Sequence, residues 1–129
     1  MATYNNYEEL DIWKDAIDLA EEIYRFTFDG ELAKDWGMKD QIRRSVASIS
    51  NNIAEGFEYN NNRDFIKFLR YAKGSNGEFR NQLIILHRVS LIEEKPFHNM
   101  YNKSLELGKR IGKLISYLRQ YENKKITRN

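Results

Sequence analysis

The residues best suited to do chemistry in this chain lie in one run, from Gln41 to Phe57. Arg43 and Arg44 set two guanidinium groups side by side. Arg44, Ser48 and Asn52 follow at four-residue spacing, with Glu55 three further on, so in a helix they share one ridge. Two chemistries fit. Guanidinium matches phosphate geometry, so Arg43 and Arg44 are candidate phosphate contacts. Alternatively Arg44, Ser48, Asn52 and Glu55 meet Glu78 across a bundle in a satisfied polar network, which fixes register more than it adds stability.

A second cationic set closes the chain: Lys109, Arg110, Lys113, Arg119, Lys124 and Lys125. These could track a nucleic-acid backbone, with Tyr117 and Tyr121 placed to stack on bases. They fit equally as a solvated helix face with boundary tyrosines. Acidic residues crowd the other end: Asp11, Asp15, Asp18, Glu21 and Glu22 among them. Two ends of opposite sign can attract within one subunit or between subunits, or leave the basic end for an outside polyanion.

Catalytic machinery is not expected. Cysteine is absent, which excludes disulfides and thiolate metal sites and suits a reducing cytosol. No nucleophile-elbow pattern occurs. The two histidines, His87 and His98, follow Ile84 and Lys95 at three residues, so neither makes a Glu-x-x-His metal pair. Gly74-Ser75-Asn76-Gly77 lacks the lysine of a phosphate loop. No metal ligand set and no cofactor follow from these residues.

Four helical segments must position the candidates. Apolar spacing predicts helices over about 7–28, 38–58, 63–92 and 96–122, with a polar basic tail at 123–129. The first carries Leu10, Trp13, Ala16, Ile17, Ala20, Ile23, Tyr24 and Thr27 on one stripe. Asn61 or Asn62 is the expected cap of the third. Its apolar phase runs unchanged through Gly74 and Gly77, so the helix is expected to continue, with the glycines packed closely under Trp13 or Phe57. Pro96 suits the first turn of the fourth helix. That helix shows two adjacent stripes, a width that points to burial on two sides and hence to an oligomer. At 129 residues the chain fits a single all-α domain over 1–129, an antiparallel up-and-down four-helix bundle. Net charge is only +2, from 21 basic and 19 acidic residues. The opening residues 1–6 lack a signal-peptide core, and no apolar run nears the roughly 20 residues a membrane span needs. A cytoplasmic location follows, with no membrane partner.

The run from Gln41-Ile42-Arg43-Arg44-Ser45 to Asn52-Ile53-Ala54-Glu55-Gly56 resembles the signature of proteins encoded in intervening sequences of bacterial 23S ribosomal RNA genes. Phe65, Phe68, Leu69, Ala72 to Ser75, Glu78 and Leu83 continue the match, and Leu10, Trp13, Ala16, Leu19 and Tyr24 begin it. The chain departs where the family usually carries Ile-Pro-Ser-Asn, having Ile49-Ser50-Asn51-Asn52, which should leave the second helix straighter. The resemblance implies a left-handed bundle assembling as a ring-shaped homopentamer. A branch similar in fold, the accessory protein of diversity-generating retroelements, works with a reverse transcriptase and its RNA, a partner implied here by analogy only. The resulting expectation is a non-enzymatic oligomer contacting RNA or DNA through its fourth helix. Its rival is a protein-interaction scaffold whose charges serve subunit contacts alone.

Overall fold

The computed structural model describes residues 4–128, with side chains described over 4–121. A 3-10 turn at Tyr7–Glu9 precedes five helices: α1 (Asp11–Phe26), α2 (Gly30–Lys34), α3 (Trp36–Glu58), α4 (Asn62–Arg88) and α5 (Glu94–Arg128). The four long helices form a bundle, and no strand occurs among the described residues. Each long helix packs on the next in the chain, and α5 closes the ring of four against α1. Cross-contacts set the directions. Arg43 meets Thr27 while Phe57 and Leu10 line one cleft, so α1 and α3 are antiparallel. Ser45 meets Gln82 and Ser48 meets Ser75, which does the same for α3 and α4. Glu22 pairs with Lys103 and Asp15 with Arg110, so α5 also opposes α1. The topology is up-down-up-down, with α1 diagonally across from α4.

Local chemistry sets the helix ends. Asn61 caps α4, its Oδ1 accepting the Asp64 N–H at 2.8 Å. Asp35 caps α3 through the Met38 N–H at 3.1 Å. The first helix begins at Asp11 rather than residue 7, because Leu10 is extended and the 3-10 turn before it swings Tyr7 onto Trp13. α4 ends at Arg88 rather than residue 92. Ser90 turns left-handed at φ 63°, and the Leu91 N–H closes back on the Leu86 carbonyl. The linker after α1 holds the short α2, which periodicity did not indicate. One buried side chain, Leu32, pins it. α3 runs unbroken through Ser50, where the family proline would stand.

The core is one apolar cluster from Leu10 to Leu118. On α1 the buried positions are Ile12, Ala16, Leu19 and Ile23, while Tyr24 lies exposed outside the stripe assigned to it. The double stripe of α5 has a cause inside the chain. Phe97, Met100, Leu107, Ile111, Ile115 and Leu118 are covered by its two neighbours, α4 and α1. The width therefore does not call for a second copy. Leu105, at 37% exposure, and Tyr121, at 45%, stay open on this helix.

Polar clamps hold the register on both sides of α4. Towards α5, buried Asn76 donates from Nδ2 to the Ser104 carbonyl at 2.9 Å and accepts the Ser104 hydroxyl at 2.6 Å. Gly108 gives Asn76 room, since a Cβ there would lie 3.1 Å from Asn76 Nδ2. Towards α3, Ser75 meets Ser48 at 2.9 Å, and the Ser45 hydroxyl donates to Gln82. No buried side-chain polar atom among the described residues lacks a partner.

This arrangement corrects the expectation for Gly74 and Gly77. The helix does continue, but no bulky partner lies over the glycines: a Cβ at either would meet nothing within 4 Å. Trp13 packs on Tyr7 and Phe57 on Phe65 instead. The closely packed glycine is Gly56, where a Cβ would fall 2.5 Å from the Phe68 Cβ. Glycine costs a helix about 1 kcal/mol relative to alanine, and overpacking costs about 1–3 kcal/mol. Chemical denaturation should therefore show Gly74→Ala and Gly77→Ala each gaining about 0.5–1 kcal/mol, and Gly56→Ala losing about 1–3 kcal/mol. A double-mutant cycle on Asn76→Leu and Ser104→Ala should return a coupling of about 1 kcal/mol or more. Additive losses would show that the clamp contributes nothing as a unit.

Candidate nucleic-acid interface

The predicted cations do not form one surface. Arg43 is half-buried at the C-terminus of α1. Its Nε donates to Thr27 Oγ1 at 2.7 Å and its Nη2 to the Tyr24 carbonyl at 3.3 Å, while the guanidinium lies 4.5 Å from the Tyr24 ring centre. A cation there satisfies a helix-end carbonyl and complements the helix dipole. Arg43 thus ties α1 to α3. Arg44 reaches out to Asp40 at 2.9 Å with its side chain 80% exposed.

The polar network is correspondingly different from the one expected. Ser48 and Asn52 do join, Asn52 Nδ2 donating to both the Ser48 carbonyl and Ser48 Oγ, but their partner across the bundle is Ser75. Glu78 accepts from Gln82 at 3.5 Å and so borders the Ser45 clamp. Arg44 and Glu55 stand exposed and outside both groups. The shared ridge is real, but α4 offers small hydroxyl partners there, so the charged members turn to water.

On α5 the cations point in two directions. Arg110 pairs with Asp15 at 2.7 Å and Lys103 with Glu22 at 3.1 Å, so acidic α1 meets basic α5 within one chain. Both pairs are substantially exposed and worth at most about 1 kcal/mol each. Arg119 faces the other way, into a hollow shared with α4, while Lys109 and Lys113 border the outer surface of α5 that reaches Lys73. Lys124 and Lys125 lie outside the residues whose side chains are described.

An open groove between α4 and α5 gathers these outward cations. Arg70, Lys73, Gly74, Gly112, Ile115, Ser116 and Arg119 line one stretch of about 430 Å³. Lys109 and Lys113 border its continuation beside Lys73. Arg63 and Lys67 extend it along α4, bordering the same hollow as Arg70. Gly112 leaves the groove open beside Lys73, since a Cβ there would lie 3.5 Å from Lys73 Nζ. None of these seven cations enters an ion pair among the described side chains. Their charges add along one face, while the acids of α1 lie across the bundle from α4, and Asp15 and Glu22 among them meet the other flank of α5.

Arg63, Lys67, Arg70 and Lys73 were not among the predicted contacts. Their spacing of four, three and three is a helical face opposite the apolar stripe, and that signal was present in the sequence. Their partners on α5 lie about forty residues away, so only folding shows the two sets as one surface.

The histidines take part in packing. His87 stacks on Phe97 with ring centres 4.2 Å apart, and His98 lies 3.5 Å from Glu94. Among the described residues no three His, Asp or Glu side chains converge in a way that could hold a metal. No described helix is long and apolar enough to cross a membrane.

Comparison with known proteins agrees with this architecture. A solved protein of unknown function from the S23 ribosomal protein family of Bacteroides thetaiotaomicron VPI-5482 superposes with a TM-score of 0.75. It is 27% identical, over 81% of this chain and 95% of its own. No curated protein matches the chain. The model of the 23S rRNA-intervening sequence protein family matches residues 8–113, which takes in α1 to α4, both polar clamps and much of the groove. On that match the chain belongs to the 23S rRNA-intervening sequence protein family.

Proposed function

We propose that this protein is a non-enzymatic, cytoplasmic nucleic-acid-binding protein that works as a homo-oligomer, with RNA or DNA held in the α4–α5 groove. The observation that carries this reading is Arg70, Lys73 and Arg119 in one groove between α4 and α5, continued by Arg63 and Lys67 along α4 and by Lys109 and Lys113 along α5, all outside every ion pair among the described side chains. Seven like charges held together repel one another, and a polyanion relieves that repulsion while releasing its own counterions. In a homopentamer the groove would recur five times on one body, and weak sites so linked raise each other's effective concentration. The reaction class left to such a surface is binding alone.

The scaffold reading needed acidic first helices to meet basic last helices across subunits. Asp15–Arg110 and Glu22–Lys103 use those charges inside the chain, which favours the groove for outside partners.

Anisotropy with labelled RNA and DNA over a salt series tests the reading. Affinity should fall steeply with salt. Arg70→Glu combined with Lys73→Glu should weaken binding by about tenfold or more at moderate salt and flatten the salt slope by about two, with circular dichroism unchanged. Arg110→Gln should leave affinity within about twofold, because its guanidinium serves α1. Flat anisotropy at low salt, or full affinity in the Arg70/Lys73 variant, would overturn the proposal.

A further inference from the structure

We infer that the groove takes single-stranded nucleic acid in preference to duplex, with unpaired bases stacked on Tyr71 and Tyr117. The inference rests on the nucleic-acid reading above and adds the form of the ligand. Two exposed tyrosines border the cationic strip. Tyr71, 51% exposed, lines the hollow of Arg63, Lys67 and Arg70 on its α3 side. Tyr117, 44% exposed, lines the stretch of Lys73, Lys109 and Lys113 on its α1 side. Neither hydroxyl makes a hydrogen bond among the described residues, and the Tyr117 ring also borders the apolar cleft of Leu10, Leu114 and Leu118, which fixes it from one side.

Tyr71 is also held in place from behind. Its ring stands edge to face on Phe68 at 5.6 Å, and Phe68 in turn stacks on Tyr59 at 5.2 Å. A ring so fixed offers a base a platform with little ordering left to do.

The shape of the surface favours a strand over a duplex. α4 and α5 lie side by side between α3 and α1, so neither projects to enter a major groove. A duplex lying on the strip would use the cations and leave both tyrosines idle, since its bases are already stacked. A single strand can lay its phosphates along the cations and turn bases outward onto the rings, the combination that sequence-tolerant single-strand binders use. Gly74, with nothing near its missing Cβ, keeps the floor of this path open.

The test compares one labelled strand of roughly a dozen nucleotides, the same strand annealed to its complement, and heparin, a polyanion without bases. The free strand should bind about tenfold tighter than the duplex. Tyr71→Leu and Tyr117→Leu should each weaken strand binding by about tenfold and leave duplex and heparin affinities unchanged. Tyr71→Phe and Tyr117→Phe keep the ring and should keep the affinity. Equal affinity for strand and duplex, with the leucine variants silent, would overturn this inference and leave the groove reading standing. Loss of affinity in the phenylalanine variants would overturn stacking in favour of hydroxyl contacts. Failure of all three ligands to bind would bring down the groove reading itself.

Discussion

The structure depends on α4 being held from both sides at one level. Ser75 points to α3 and Asn76 to α5, and the glycines on either side of this pair have open space where a side chain would be. Apolar contacts alone would let four amphipathic helices slide with modest loss, because Leu, Ile and Val stripes are alike from turn to turn. A buried amide that exchanges two hydrogen bonds with one serine tolerates no such slide, since an unmet buried polar group costs about 1–3 kcal/mol. The clamp therefore sets which cations on α4 stand opposite which on α5. Lys73 lies across Gly112, and Arg70 faces the same groove as Arg119, because Asn76 meets Ser104.

Charge is partitioned around this frame. The acids of α1 are partly occupied by Lys103 and Arg110, on the side of α5 that turns towards them. The other side of α5 turns its cations to α4, which supplies four more. The diagonal placement of α1 and α4 keeps the acids of α1 away from the cations of α4. A net charge of only +2 thus conceals a molecule with one strongly basic face. Arg43 and Arg44, the most conspicuous cations in the sequence, stand apart from that face, one at a helix end and the other beside Asp40.

Much of the fold was legible from the chain alone. Apolar phase located the four long helices, the Asn61 cap fell where a side-chain acceptor was wanted, and the unbroken phase across Gly74 and Gly77 carried the helix through a glycine pair. The roles inside that segment were not legible, because a serine or asparagine on a helix declares its partner only when the neighbouring helix is in place. α2 escaped for a related reason: Leu32 alone makes no period. Only part of the site could be read. Lys109, Lys113 and Arg119 were visible as a basic stretch, but the direction each takes depends on the rotation of α5. Arg110 and Lys109 are adjacent in sequence and face different neighbours. The four cations of α4 required the pairing of two segments distant in the chain.

The central claim is that nucleic acid lies in the groove between α4 and α5. Ultraviolet cross-linking of the full chain to a short single-stranded RNA, read by peptide mass spectrometry, tests it most directly. The account predicts cross-links on the peptides that carry Tyr71 with Lys73 and Tyr117 with Lys113. Cross-links confined to α1 and α3, on the peptides of Tyr24 or Trp36, would contradict it.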